Sequence, residues 1–305
     1  MRNSNLFKIS SELQSGLAEN KPIVALESTV IAHGLPRPTN LDTAKNLERV
    51  VREAGGVPAT IAIIDGALRV GLTSEELEFL ANSDNIKKIS IRDLPVAVAQ
   101  KWSGATTVAS TCWIAHRAGV QVFATGGIGG VHRGGLPDIS ADLPQLVQTP
   151  IIVVCSGAKI VLDLPATREW LETHGVTVVG YQCDEMPAFY SRRSGLDVDV
   201  RADSHADVVR LFQANETLGL RTALLITVPV PSEFEVSLEK TEQVLAEALR
   251  EAESLCITGR DLTPFLLKRM SEKSDGATLK ANIALLENNA RVAAEIARSI
   301  CAVQK

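Results

Sequence analysis

Short apolar runs alternate with amphipathic segments along most of the chain. Predominantly apolar runs, which are typical of strands buried on both faces of a sheet, occupy residues 23–26, 59–64, 120–124, 151–155, 176–179 and 223–228. Segments with apolar residues at helical spacing separate them, and the chain is mostly helical after residue 235. This alternation predicts an α/β fold with a largely parallel central sheet flanked by helices, formed as a single domain over residues 1–305.

Local signals predict several further features. Residues 7–18 are typical of a short amphipathic helix, and Val30 and Ile31 could extend the strand 23–26. Turn and capping residues predict an N-cap at Thr39 or Asn40, a hairpin turn at Asp65-Gly66, a capping box at 73–76 and a helix beginning at Gly104.

A glycine-rich stretch, residues 126–142, follows the apolar run 120–124 and has six glycines in its first ten residues. Its backbone can take positive φ and approach a ligand closely. A dinucleotide-binding loop is a poor match, because His132 stands where a third small residue is needed and Pro137 interrupts the helix that should follow. A phosphate-binding P-loop also fails, since no Gly-Lys-Ser/Thr closes the stretch.

Composition narrows the class of protein. The chain has 305 residues, a net charge of -5, and twelve aromatic residues, so a basic, aromatic nucleic-acid surface is not expected. Five cysteines without a C-x-x-C pair indicate reduced thiols and a cytoplasmic location. No apolar stretch reaches the ~18 residues that a membrane span needs.

Four charged residues carry the candidate chemistry. Lys159 follows the apolar run 151–155 and could act as a nucleophile if burial or a second cation, for which Lys88 is a candidate, lowers its pKa. Glu27 lies in an apolar setting and could act as a general acid. Asp138 and Asp142 could hold a divalent cation. Each signal alone is weak, because a lysine at a strand end is more often an ordinary surface residue.

Five long sequence motifs are more specific than these single residues. The strings ALESTVIAHGLPRPTN, SGATTVASTCWIAHRAGVQVFATGGIGGVHRG, DISADL, VVCSGAKIVLDLPATREWLETHGV and KANIALLENNARVAAEIA begin at residues 25, 103, 138, 153 and 280. They closely resemble the pseudouridine-5'-phosphate glycosidases, a family also called indigoidine-synthase-A-like. The resemblance implies cleavage of the C–C glycosidic bond of pseudouridine 5'-phosphate to uracil and ribose 5-phosphate. It also implies an α/β homotrimer with one Mn²⁺ per subunit, although other divalent cations could serve.

The resemblance also implies roles for individual residues. Glu27 in ALEST matches the proton donor, and Lys159 in GAK matches the nucleophile that forms an adduct with ring-opened ribose. Asp138 in DISAD matches the metal ligand. Predicted substrate contacts are Lys88, Val108, His132, Ser140, Ala141, Asp142 and Asn282. The adjacent Lys87 leaves open which of the two lysines contacts substrate. We further expect the metal, His132 and Arg133 to neutralise the substrate phosphate.

The expected chemistry differs from ordinary glycoside hydrolysis. In a C-glycoside the uracil carbon itself must accept a proton, and an iminium on Lys159 would let the C–C bond break. Whether Glu27 opens the ribose ring or protonates the base is left open, as is the physiological direction of the reversible reaction. Two alternatives remain: an aldolase-like Schiff-base enzyme for another sugar phosphate, and a catalytically silent accessory protein of pigment biosynthesis.

Overall fold

The computed structural model describes residues 6–134, 138–257, 259 and 262–303. Residues 135–137 of the glycine-rich stretch therefore lie outside the described residues, and so do both ends of the predicted 1–305 domain.

Thirteen strands run through the described part of the chain. They are β1 Phe7–Ile9, β2 Ile23–Leu26, β3 Val57–Ile64, β4 Ala67–Val70, β5 Lys87–Ile89, β6 Gly104–Thr106, β7 Val122–Ala124, β8 Val131–His132, β9 Ile152–Cys155, β10 Leu162–Asp163, β11 Thr177–Tyr181, β12 Val200–Ala202 and β13 Leu224–Thr227.

Eleven α-helices lie between and after the described strands. They are α1 Ser11–Ala18, α2 Thr39–Glu53, α3 Ser74–Asn82, α4 Leu94–Ala99, α5 Val108–Ala118, α6 Asp142–Gln148, α7 Leu164–Thr173, α8 His205–Thr217, α9 Leu238–Ser254, α10 Leu262–Lys273 and α11 Ala277–Val303. Short 3-10 helices cover Ile91–Asp93 and Ser232–Phe234, and one π-helical turn covers Val30–Gly34.

The central sheet is largely parallel, as predicted. Its main path runs β1-β4-β3-β2-β7-β9-β13-β11-β12, and every neighbouring pair from β3 to β12 is parallel. The antiparallel pairs β3–β4 and β3–β6 lie at one side, where β5 pairs with β6. After β2 the chain continues to β3 on one side and later returns to β7 on the other. Ligands bind at such a reversal in α/β sheets, beyond the carboxyl ends of the strands.

Helices cover the sheet, and the long C-terminal helix α11 positions the site. It packs against α2 and α8 and against strands β2, β7 and β9, and its buried face includes Leu285, Ala293 and Ile296. Helices α5 and α6 pack against each other, and α5 also contacts β2, β3 and β4. The hairpin of α9 and α10 touches α11 and the turn Val30–Gly34. One continuous apolar core joins these layers, and the α/β prediction is confirmed.

Three local predictions are wrong. Residues 7–18 are not one helix: Phe7–Ile9 is a strand paired with β4, and the helix begins at Ser11. Gly104–Thr106 is likewise a strand before helix α5, and a Cβ on Gly104 would lie 2.4 Å from Ile89, so glycine allows β5 to pack closely. Val30 and Ile31 enter a π-helical turn instead of extending β2. In each case pairing or packing with distant residues overrides the local pattern.

The helix start near residue 39 also differs from expectation. Helix α2 begins at Thr39, and Pro38 occupies the N-cap position without a side-chain cap. The Asn40 amide instead donates to the carbonyls of Ile31 and Ala81, both at 2.9 Å. Two other local predictions are confirmed. Asp65-Gly66 joins the antiparallel strands β3 and β4, and Thr73 and Glu76 form a reciprocal capping box.

We find no helix among the described residues that is both long enough and apolar enough to cross a membrane.

Candidate active site

A cavity of about 440 Å³ opens beyond the carboxyl ends of β2, β7 and β9. Because these three strands are adjacent and parallel, the residues that follow them meet at one edge of the sheet. Glu27 follows β2, Gly126 and Gly127 follow β7 after one residue, and Lys159 lies four residues beyond β9. All four line the cavity.

Glu27 is held in place by its two neighbours. The Ser28 hydroxyl donates to the Ile61 carbonyl at 2.7 Å and accepts from the Thr106 amide at 2.9 Å. The Thr29 hydroxyl donates to the Thr106 carbonyl at 2.7 Å. These bonds tie the end of β2 to β3 and β6. The Glu27 carboxylate accepts a short hydrogen bond from the hydroxyl of Thr125, the residue that follows β7.

The pKa of Glu27 is raised from its ordinary value of 4.5, chiefly because the carboxyl group is desolvated. Only 6% of the residue is exposed. The Lys159 charge and the Thr125 hydrogen bond oppose this rise, Asp142 adds to it, and Lys88 opposes it weakly. A carboxyl group with a raised pKa retains its proton to higher pH, which suits a general acid. The same electrostatic couplings indicate that Lys159, Asp142 and Lys88 all lie near Glu27.

Lys159 is carried by a tight connection after β9. Gly157 has φ 81°, and a Cβ there would lie 2.2 Å from the Pro187 carbonyl oxygen, so only glycine suits this position. The Lys159 amide donates to the Ile128 carbonyl at 3.1 Å, which docks the connection onto the glycine-rich stretch. The lysine side chain is half-buried and lines the cavity beside that stretch.

Asp142 joins two parts of the site. One carboxylate oxygen accepts from the Ala109 amide in the first turn of α5, and the other accepts from the Gly129 amide, each at 2.8 Å. The side chain is buried at the start of α6. Two charge-assisted bonds to backbone amides satisfy a buried carboxylate. A Cβ on Gly129 would lie 2.7 Å from this carboxylate, so the close approach requires glycine.

The segment 138–142 lines one wall of the cavity and includes the predicted metal ligand. Asp138 is exposed, and its carbonyl accepts from the His132 amide at 2.8 Å. Ser140 and Ala141 line the same wall. Among the described residues, no three His, Cys, Asp or Glu side chains are grouped as a metal site. A divalent ion here would therefore take one carboxylate from Asp138 and fill its other positions with water or substrate oxygens, a pattern that suits hard cations such as Mg²⁺.

The two adjacent lysines, Lys87 and Lys88, have different surroundings. Lys88 is half-buried and lines the cavity, whereas Lys87 is exposed and its ammonium lies 5.9 Å from the centre of the Trp102 ring. Successive residues of a strand point to opposite faces, so only one of the pair can face the cavity. Val108, the first residue of α5, lines the wall next to Lys88.

All of the predicted site residues line this one cavity: Glu27, Lys88, Val108, His132, Asp138, Ser140, Ala141, Asp142, Lys159 and Asn282. Arg133 does not. Its guanidinium pairs with Glu242 at 2.9 Å and donates to the Leu162 carbonyl at 3.1 Å, so the expected contribution to phosphate binding is not supported.

Sequence reasoning missed several residues of the site. Thr125 hydrogen-bonds Glu27, and further cavity residues that were not predicted are Ser90, Arg92, Thr107, Phe189 and Leu286. Thr125 and Thr107 each follow a strand directly, which is the available signal for them. Phe189 has no such signal, because it lies in the loop after β11.

A buried carboxylic acid and a lysine in one cavity, at the switch point of an α/β sheet, are typical of an enzyme that combines acid and nucleophilic catalysis. The comparisons agree. The family model of the Indigoidine synthase A like protein matches residues 12–299, and the chain belongs to this family.

Curated relatives cover nearly the whole chain. Proteins named pseudouridine-5'-phosphate glycosidase from Geobacillus kaustophilus and Petrotoga mobilis are 52% and 49% identical to it. The matches cover 97% and 98% of this chain and 99% and 98% of the relatives, respectively. The predicted family is therefore confirmed, and so is the prediction of an enzyme.

Solved structures share the fold. The crystal structure of a prealnumycin C-glycosynthase in complex with ribulose 5-phosphate has a TM-score of 0.90 and 42% identity, over 98% of both chains. An indigoidine synthase A-like protein from Thermotoga maritima has a TM-score of 0.90 and 35% identity, over 99% of this chain and 98% of the other.

Proposed function

We propose that this protein cleaves the C–C glycosidic bond of pseudouridine 5'-phosphate, giving uracil and ribose 5-phosphate. The observation that carries the proposal is the meeting of Glu27 and Lys159 in one cavity, with a raised pKa on the acid. The names of the curated relatives support the substrate, and the C-glycosynthase supports C–C bond chemistry on this fold.

Because the bond to be cleaved joins two carbon atoms, the reaction needs a nucleophile for the ribose and a proton for the base carbon. The Lys159 amine, once neutral, attacks C1′ of the ribose, and the ring C1′–O4′ bond breaks with a proton delivered to O4′. The base carbon bonded to C1′ then accepts a proton and keeps the electrons of the C1′–C bond. The nitrogen lone pair of Lys159 forms the C1′=N bond, and water hydrolyses this iminium to ribose 5-phosphate and free lysine.

Glu27 is the acid for this sequence. Its raised pKa lets it keep its proton to higher pH than an ordinary glutamate does, and the Thr125 hydroxyl fixes its orientation. The nearby Lys159 can receive or return protons as the adduct forms and breaks.

Polar residues that line the cavity bind the substrate. We place the phosphate near Asp138 and His132, where Mn²⁺ held by the Asp138 carboxylate would supply positive charge. One metal ion per subunit is proposed, as a binding element. Asn282 presents an amide from α11 that can pair with the polar edge of the base. Lys88, which also lines the cavity, adds a cation.

The test is an incubation of the purified protein with pseudouridine 5'-phosphate and Mn²⁺, following uracil release by absorbance. Borohydride in a parallel sample should trap a reduced ribose-phosphate adduct that maps to Lys159. Lys159→Ala should abolish both signals, while Lys87→Ala, its control, should retain them. Uracil release without an adduct would refute the Schiff-base steps, and no release from folded, metal-loaded protein would refute the substrate.

The reverse reaction provides a second check. The C-glycosynthase of the same fold is named for bond formation. Uracil and ribose 5-phosphate at high concentration should therefore yield pseudouridine 5'-phosphate here, because the same groups catalyse both directions. Product formed from another sugar phosphate and no uracil product would favour the aldolase-like alternative.

We also propose a cytoplasmic location, a homotrimer and a bound metal ion, and the last two can be measured directly. Light scattering should give three times the 32.7 kDa chain mass. Calorimetric titration with Mn²⁺ should show binding that Asp138→Asn weakens at least tenfold. Unchanged binding in that variant would place the metal elsewhere.

A further inference from the structure

Asn289 touches the ends of β7 and β9, of which the first contacts Glu27 and the second leads to Lys159, although it does not line the cavity. It lies in α11, seven residues after Asn282, and is fully buried. Its amide nitrogen donates to the Thr125 carbonyl at 2.9 Å and to the Ser156 hydroxyl at 3.1 Å. Thr125 follows β7, and Ser156 follows β9.

Each partner of Asn289 leads directly to one catalytic group. The Thr125 hydroxyl hydrogen-bonds the Glu27 carboxylate. Ser156 begins the connection Ser156-Gly157-Ala158 that ends at Lys159. The Ser156 amide also donates to the Gly126 carbonyl at 2.9 Å, which joins the two strand ends to each other. Asn289 therefore ties that junction to the helix behind it.

We propose that Asn289 is a positioning residue that fixes Glu27 and Lys159 at their working separation. The inference rests on the proposed function for the meaning of that separation. Helix α11 then has two tasks on one side: Asn282 faces the substrate, and Asn289, two turns later, holds the groups that act on it.

The chemistry of the side chain suits this task. The carboxamide has two N–H donors and one carbonyl acceptor, and here it meets a carbonyl and a hydroxyl. Aspartate lacks the donors and leucine lacks all polar groups. Either substitution would leave the buried Thr125 carbonyl without this hydrogen-bond donor. A buried polar network fixes one arrangement only when all of its groups are hydrogen-bonded.

A purely structural role is the alternative, and the neighbouring Asn288 provides the matched control. Asn288 lies on the same helix, is half-buried, and donates to the Pro229 carbonyl at 3.5 Å. Both Asn288→Ala and Asn289→Ala remove one amide from α11. Only the second removes the tie to Thr125 and Ser156.

The experiment compares Asn289→Ala, Ser156→Ala, Thr125→Val and Asn288→Ala with the wild-type protein. The first readout is uracil release under saturating substrate. The second is the pKa of the Glu27 carboxyl group, followed by infrared titration and assigned with Glu27→Gln. The third is the rate at which borohydride and glyceraldehyde 3-phosphate label Lys159. The second and third readouts do not depend on pseudouridine 5'-phosphate.

We expect Asn289→Ala to lower turnover on the order of 10- to 100-fold, the effect of a misplacement below about 1 Å. The Glu27 pKa should rise, since the Thr125 hydrogen bond that lowers it is disturbed. The groups facing Glu27, namely Lys159, Asp142 and Lys88, are unchanged in this variant. Combining Thr125→Val with Asn289→Ala should raise that pKa by less than the sum of the two single changes, because both remove the same Thr125 hydrogen bond.

Several outcomes would overturn the inference. One is an Asn289→Ala protein whose three readouts match those of Asn288→Ala. If Asn289→Ala does not fold, Ser156→Ala decides, because it removes only the Ser156 part of the tie. Normal Lys159 labelling and turnover in Ser156→Ala would then reject the positioning role. Failure of the wild-type protein to release uracil would instead reject the proposed function, and the pKa and labelling readouts would still decide on Asn289.

Discussion

Replacing Asp142 with asparagine tests how much of the site depends on one buried carboxylate. Its two oxygens accept from the Ala109 and Gly129 amides, each at 2.8 Å. In Asp142→Asn one of these amides meets an NH₂ group, so a donor faces a donor and one charge-assisted bond is lost. Hydrogen bonds to charged groups contribute about 1.5–3 kcal/mol each. With the remaining bond weakened by loss of charge, we expect about 2–4 kcal/mol of destabilisation.

Urea unfolding of the wild-type and variant proteins measures this loss as a change in midpoint at constant slope. Asp138→Asn is the matched control, because that carboxylate lies four residues earlier and is exposed. We expect the control to change the free energy of unfolding by less than about 0.5 kcal/mol. An Asp142→Asn protein within about 1 kcal/mol of the wild type would refute the assignment of these two hydrogen bonds as structural ties.

Asp142→Asn should also change the pKa of the Glu27 carboxyl group. The Asp142 charge helps to raise the pKa of Glu27, so its removal should lower that pKa. Infrared titration of the carboxyl group would show this as a shift to lower pH. A shift to higher pH would mean that the variant has lost contacts that stabilise the Glu27 carboxylate, and the electrostatic reasoning would fail.

Three further predictions follow from individual residues. Because the folded pKa of Glu27 lies above 4.5, the stability that its protonation provides is complete below that pH and is lost as pH rises through the folded value. Glu27→Gln should therefore gain stability over the wild type with rising pH, by about 1.4 kcal/mol per unit of pKa shift, in denaturant titrations from pH 4.5 to 8; a constant difference would contradict it. Gly157→Ala should destabilise the fold by about 2–5 kcal/mol, since its φ is 81° and its Cβ would lie 2.2 Å from the Pro187 carbonyl, and a melting temperature equal to the wild type would contradict it. Lys88→Ala should raise KM for pseudouridine 5'-phosphate at least tenfold while Lys87→Ala stays within about twofold, and equal effects would reject the distinction between the two lysines.

Much of the fold could be predicted from the sequence, because buried parallel strands are predominantly apolar. The runs 23–26 and 151–155 are strands within one residue of the predicted bounds. The residues proposed for the site could also be named from the sequence, since the ALEST, DISAD and GAK motifs and the resemblance that they support point to them directly. Their meeting in one cavity follows from parallel strands whose carboxyl ends share an edge.

Short elements required the tertiary structure. Phe7–Ile9 is a strand only because β4 offers a free edge about 60 residues later in the chain, and such pairing leaves no local signal. Local sequence likewise gives no sign that Arg133 pairs with Glu242, because the two residues are 109 positions apart.

The sequence by itself determined the class of fold, the family and the residues that we propose as acid and nucleophile, because each depends on local pattern or on contiguous motifs. Only the tertiary structure decided which of Lys87 and Lys88 faces the cavity, that Thr125 holds Glu27, and that Asn289 reaches both strand ends. These contacts join residues far apart in the chain. Their geometry is fixed by packing of the sheet against α11, and packing distances are not encoded in any one segment.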